Sequence, residues 1–149
     1  MNETIVVGID GSTSARLATR WAAREAEIRH ADLVLVSAWN MPLDGYNFGD
    51  VPFSEDALKA LEIEAEERLA EAAEEARTVA SDLWIITEAA QGQPAAVLMH
   101  AARDADLLVI GSRGLGGFRG LLLGSVSQQC VDHASCPVVV VRHLNADFP

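Results

Sequence analysis

Five stretches of this chain are short, apolar and rich in β-branched residues, and each of the first four is followed by a stretch with helical periodicity. That alternation constrains the fold more than any other feature. Strands that read as unbroken Val/Ile/Leu runs are covered on both faces, and strands separated by helices pair in parallel. The first run is Thr4–Ile9, followed by a turn, Asp10–Ser14, in which Ser12 or Ser14 is placed to cap a helix reaching about His30. Leu17, Ala18, Trp21, Ala22 and Ala26 mark the apolar side of that helix. Asp32–Trp39 is the second strand. An irregular segment, residues 40–53, leads to Ser54, the expected cap of a long helix from about Glu55 to Ala80. Leu58, Leu61, Ala65, Leu69, Ala72, Ala73 and Ala76 form its expected buried stripe. Leu83–Glu88 reads as the third strand, Pro94–Ala102 as a helix with Pro94 in its first turn, and Ala105–Ile110 as the fourth strand. A glycine-rich loop, Gly111–Gly124, precedes a short helix, Ser125–Ala134, and the last strand, Pro137–Val141.

The pattern predicts one α/β, doubly wound, Rossmann-like domain over residues 1–149, with an ordered core of about 3–142 and helices on both faces of a five-stranded parallel sheet. Half of the 149 residues are hydrophobic, which excludes a disordered chain. A net charge of −11 argues against nucleic acid, because neutralising phosphates takes clustered Lys and Arg, and it disfavours anionic membrane surfaces. Much of that charge falls between Glu55 and Glu75, the pattern of a solvated helix face. No apolar run is long enough to cross a bilayer and no signal peptide is evident, so the expected compartment is the cytoplasm. Cys130 and Cys136 do not form a zinc-binding spacing and are expected as reduced, packed thiols.

In an open parallel sheet, ligands bind beyond the carboxyl ends of the strands, where the strand order reverses. Asp10, Ala38, Glu88 and Gly111 fall at those ends, and only the loop after the fourth strand is dense in glycine. Glycines let backbone amides approach an anion, and Gly124-Ser125 opens the next helix, whose free N–H groups and dipole favour phosphate oxygens. The hydroxyls of Ser125 and Ser127 add donors, and Arg113 and Arg119 are the cations of the loop. The loop is neither a Walker A sequence nor the dinucleotide fingerprint. A loop with glycines for turning alone is the competing reading.

The spacing Gly111-x2-Gly114-x9-Gly124-Ser125 resembles the nucleotide motif of the universal stress protein family, and the likeness extends to Val6–Ser12 and Ala134–Val141. The resemblance implies the strand order 3-2-1-4-5, binding of ATP or another adenine nucleotide, and frequent homodimers. It places Ile9, Asp10, Ala38, Ile110, Gly111, Gly114, Gly124, Ser125, Val126 and Ser127 at the nucleotide. Asp10 would meet ribose hydroxyls or a Mg ion carried on the phosphates. Ala38 departs from the valine frequent in the family at the adenine-contacting position. Asp10 also suits a plain Asx turn before the helix.

His30, His100, His133 and His143 share no metal-binding spacing, and no serine lies in a nucleophile elbow. Trp21, Trp39 and Trp84 are expected in or at the edge of the core, with Trp39 a candidate border of the base pocket. The last strand, Val138, Val139, Val140 and Val141, is expected at a sheet edge open to a second copy. These features predict a regulatory nucleotide-binding protein with at most slow ATP hydrolysis. The alternatives are an enzyme for nucleotidyl transfer or phosphate removal, using Asp10, Ser12, Glu88, Arg113 and Arg119, and a ligand-free interaction module.

Overall fold

The computed structural model describes residues 2–41, 54–114 and 123–142. Its elements in chain order are β1 (Thr4–Gly8), α1 (Thr13–Arg29), β2 (Asp32–Trp39), α2 (Glu55–Val79), β3 (Ile85–Gln91), α3 (Pro94–Ala101), β4 (Leu107–Gly111), α4 (Ser125–His133) and β5 (Val138–Val141). The five strands form one sheet in the order β3-β2-β1-β4-β5, and every pairing is parallel. This is the arrangement expected above. Residue 42–53 of the long irregular segment, Arg119 of the glycine-rich loop, and His143 with the rest of the tail lie outside the described residues.

Strand alternation sorts the apolar side chains into two cores. Ile5, Val7, Leu33, Leu35, Leu107 and Val109 point to one face and pack under the alanines of α1 and α2, namely Ala18, Ala22, Ala26, Ala72, Ala73 and Ala76. Val6, Val36, Leu108 and Ile110 point to the other, under Ala95 and Leu98 of α3 and Cys130 of α4. The two helices of the first face can sit close to the sheet because alanine dominates their buried stripes. Ser12 caps α1 by accepting the Ala15 N–H at 3.1 Å, and Ser54 caps α2 by accepting that of Ala57 at 3.2 Å. α1 closes on His30 in the left-handed conformation (φ 56°), whose N–H reaches the carbonyls of Ala26 and Glu27. Among the described residues no helix is long and apolar enough to cross a membrane.

Three expectations are corrected. β3 is not Leu83–Glu88 but Ile85–Gln91, because its register runs from Leu33↔Ile85 to Trp39↔Gln91 along the full length of β2. Pairing with a neighbour carried the strand through Thr87-Glu88-Ala89-Ala90-Gln91, whose composition does not ask for it. β3 is an edge strand with one face open, so Ile86 is 44% exposed and Glu88 is exposed. Trp84, placed in or beside the core by its type, is 70% exposed at the start of that edge. The buried stripe of α2 begins only at Ala65, with Leu58 and Leu61 half-buried. Trp21 of α1 is half-buried at the edge of the first core, as expected.

The two long helices are tied by one carboxylate. Glu75 of α2 accepts from Arg20 Nη1 at 2.7 Å and pairs with Arg16 Nε at 3.3 Å, with 17% of its side chain exposed. The hydrogen bond from Arg20 holds the Glu75 carboxyl below the usual glutamate range, and Arg16 adds to the effect. A lowered folded-state pKa means that the contribution is complete above the unfolded-state value and disappears as pH falls through the folded one. Glu75→Gln should therefore cost about 0.5–1 kcal/mol at pH 7. Urea denaturation of both proteins should show that difference shrinking below about pH 4, where glutamates protonate. A difference that persists at pH 3 would contradict the assignment.

Candidate functional site

The sheet order reverses about β1: the chain moves from β1 to β2 on one side and later to β4 on the other. The helices that follow these strands leave on opposite faces, so a crevice opens above the carboxyl ends of β1 and β4. It is a cavity of about 490 Å³, within the size range of small-ligand sites. Ile9, Asp10, Ala38, Ile110, Gly111, Arg113, Gly114, Gly124, Ser125, Val126 and Ser127 all line it. The structure thus brings together in one place residues that span more than a hundred positions of sequence.

The walls are built from backbone. The Ile9 N–H donates to the Val36 carbonyl at 2.8 Å, which holds the β1 exit beside β2. Ser112, the residue after β4, is buried and fixes three elements. Its N–H donates to the Val141 carbonyl at 3.0 Å, and its own carbonyl accepts the Gly124 N–H at 2.7 Å. The two ends of the glycine-rich loop are therefore bonded to each other at its neck, next to the last residue of β5. α4 begins at Gly124, and its first intrahelical bond is Gln128 N–H to the Gly124 carbonyl at 2.9 Å. The amides of Ser125, Val126 and Ser127 precede that bond, and no acidic residue occupies the first turn. This is a partial positive charge aimed at the cavity.

The glycines do different work. A Cβ on Gly111 would stand 2.6 Å from the backbone of Ser14, so glycine is needed there for β4 to pass the start of α1. A Cβ on Gly114 would stand 2.8 Å from Asp10 Oδ2. Among the described residues a Cβ on Gly124 would meet nothing closer than 3.5 Å, and its φ of −74° suits any residue. The described residues do not require glycine at 124, which lines the cavity.

Asp10 makes the Asx turn expected of its position and also lines the cavity. Its Oδ1 accepts the Ser12 N–H at 2.8 Å, which is the Asx turn, while Oδ2 faces the Gly114 side of the cavity. Ser127 is a correction: its hydroxyl donates to the Gly111 carbonyl at 2.7 Å, with the Ser112 carbonyl at 3.2 Å. The single hydroxyl proton is spent on the loop neck, so Ser127 offers a ligand its amide and not its O–H. Glu88 is excluded from the site, since it lies mid-strand in β3 and does not line the cavity. Trp39 does not line it either; its carbonyl accepts the Gly92 N–H at 2.9 Å.

Sequence reasoning missed the apolar floor: Gly8, Ala15, Val36, Pro94 and Leu98. Val36 had a signal, being two residues before Ala38 on the same strand face. Pro94 and Leu98 enter from α3, whose position over the crevice depends on a crossover that residue spacing does not reveal. Asp10 and Arg113 are the only ionisable side chains lining the cavity among the described residues, where no group of three or more His, Cys, Asp or Glu converges on a metal position. Floor and walls together offer an apolar slot for a flat ring, a polar rim, and backbone donors for an anion.

The universal stress protein family model matches residues 1–142. A universal stress protein of Thermus aquaticus, encoded in the QAH/OAS sulfhydrylase 3' region, is 40% identical over 95% of this chain and all of its own length. Mycobacterial universal stress proteins are 36–38% identical over 93% of the chain, which spans only 43–45% of their length. A crystal structure of a universal stress protein in complex with cAMP superposes with a TM-score of 0.71 at 30% identity, covering 96% of this chain and 98% of that one. The hypothetical protein MJ0577 shares the fold, with a TM-score of 0.81 at 21% identity over 98% and 99% of the two chains.

The contrast between the two glycines can be read out in stability alone. Gly111→Ala should cost about 1–3 kcal/mol by overpacking against α1. Gly124→Ser should fall within about 0.5 kcal/mol of wild type, since serine is as good a helix cap. Chemical denaturation of both variants checks this, and equal losses would refute the distinction.

Proposed function

The chain belongs to the universal stress protein family, and on that premise we propose that it is a regulatory protein that binds ATP or another adenine nucleotide in the crevice above β1 and β4. The observation that carries this reading is the pairing of an apolar slot with an unclaimed helix start: Val36, Ala38, Pro94 and Leu98 at one end, and the first-turn amides of α4 with Arg113 at the other. A purine suits the first and a phosphate the second. The cAMP complex of a relative at 30% identity supports the same ligand class. Asp10 Oδ2 is placed to accept a ribose hydroxyl. It also suits a Mg ion that arrives on phosphates, because such ions use one or two carboxylates and take their remaining ligands from phosphate and water. The chain supplies no fuller metal set among the described residues.

Hydrolysis is at most slow in this reading. Of the residues considered for an enzymatic site Asp10, Ser12 and Arg113 line the cavity, but Glu88 stands apart from it, which leaves one carboxylate there among the described residues. Binding biases the loop neck, and the neck is bonded to β5 through Ser112 and Val141. Small molecules released from the purified protein by denaturation should include an adenine nucleotide. Isothermal titration should show Gly124→Ser, folded as wild type, binding it at least tenfold more weakly, since the added side chain fills the space beside the helix start. Undiminished binding would put the ligand elsewhere.

The reading includes a homodimer through β5. That strand is at the sheet edge, and all four of its valines are half-buried. The carbonyls of Pro137 and Val141 accept from Leu108 and Ser112 on the β4 side, so by alternation the backbone groups of Val138 and Val140 face outward. Val140→Pro removes an outward donor while sparing the bonds to β4. Sedimentation equilibrium should give a dimer for wild type and a monomer for this variant; a variant that stays dimeric would assign the contact to another surface.

A further inference from the structure

The sheet ends in β5 on one side and in β3 on the other. β3 holds seven residues in unbroken register with β2, from Leu33↔Ile85 to Trp39↔Gln91. Its hydrogen bonds fix which backbone groups point outward. The Leu33 N–H donates to the Trp84 carbonyl at 3.0 Å, and the Gly92 N–H donates to the Trp39 carbonyl at 2.9 Å. By alternation the backbones of Ile86, Glu88 and Ala90 face β2, and those of Ile85, Thr87, Ala89 and Gln91 face away from the sheet. These four have no backbone partner among the described residues. Edge strands are ordinarily guarded by Lys, Pro, a bulge or short length. Residues 83–92 contain no Lys, Arg or Pro, and the register has no bulge.

The side chains say what kind of segment fits. Register sets Ile86 beside Val34 and Glu88 beside Val36, on the face of the second core. Asp32, two residues before Val34, falls beside Trp84 on that same face. Trp84 is 70% exposed, Ile86 is 44% exposed, and Val34 is half-buried. An apolar step is thus bounded by a carboxylate at each end. Among the described residues Glu88 makes no ion pair, and Asp32 meets Asn2 Nδ2 at 3.2 Å and no cation. We propose that β3 is a docking edge for an extended, basic and apolar segment of a partner protein, which adds to the sheet as a further strand. Such a strand satisfies the outward donors and acceptors, and its alternate side chains reach the face of Trp84 and Ile86. An Arg or Lys there meets the carboxylate of Asp32 or Glu88 and the indole of Trp84, and both attract a cation. A second copy of this chain fits less well. It brings the same acids, no Lys or Arg in its own β3, and a net charge of −11.

The probes are two labelled, end-capped peptides as long as β3, one alternating Arg with Val and one alternating Glu with Val, titrated with the full chain by fluorescence anisotropy. Wild type should bind the basic peptide at least about tenfold more tightly than the acidic one. Trp84→Ser and Glu88→Gln should each weaken the basic peptide by about fivefold, the scale of one cross-strand contact. Thr87→Pro, which removes an outward N–H and no bond to β2, should weaken it at least as much. Glu74→Gln, which removes the same charge from the exposed face of α2, should change nothing, as a diffuse attraction to an acidic chain would not allow. Thermal melts check that each variant is folded. Hydrogen exchange adds a readout on wild type alone: the basic peptide should slow the amides of Ile85, Thr87, Ala89 and Gln91, while those of Ile86, Glu88 and Ala90 are slow from the start. Equal binding of the two peptides, or a folded Trp84→Ser with unchanged affinity, would overturn the proposal. So would outward amides already slow in the free protein, which would mean that the chain covers its own edge. Wild-type association that Trp84→Ser abolishes would give the edge to a second copy and overturn it as well.

Discussion

Everything at the carboxyl edge of the sheet depends on Ser112. It sits buried between β4 and the loop, donates to β5 and accepts from Gly124, the cap of α4. Ser127 adds a second strut, from the third residue of α4 back to the end of β4. The two ends of the glycine-rich loop, at Ser112 and Gly124, therefore meet at a bonded neck. This is why a glycine-rich stretch, entropically costly to order, can present a helix terminus in a fixed place.

A second constraint is the density of alanine and glycine along the contact of α1 with the sheet. Ala18, Ala22 and Ala26 give no side chain to hold the helix away, and Gly111 removes the last Cβ that would block β4 from passing Ser14. The crevice is narrow as a result of close packing on one face. On the other face Pro94 and Leu98 of α3 and Val126 of α4 border the cavity. Some residues serve both: Val36, Leu98 and Ile110 belong to the core of that face and also line the cavity.

Much of this was legible in the residues themselves. The β-branched runs gave four of the strands to within a few residues, because strands buried on both faces leave little choice of composition. The glycine and serine spacing indicated the cavity walls, because only backbone can approach an anion so closely. The failures have a common origin in pairing across the sheet. β3 is extended by β2, not by its own sequence, and Trp84 is left in water because β3 has no helix over its outer side. Leu98 and Pro94 reach the site through a crossover whose position no local pattern records. Ser127 looked like a phosphate donor by type and turned out to be a bond to Gly111, a distinction that only a distance can make.

The corner between α4 and β5 carries one more consequence. Cys130 is wholly buried, and Cys136 is half-buried in the same apolar cluster, both as free thiols. Burial pushes both thiols up from their ordinary range, and their proximity to each other raises Cys130 further. A thiol kept protonated is a poor nucleophile toward peroxide and alkylating agents. The two thiols at this corner therefore serve as apolar filling between α4 and β5, not as nucleophiles.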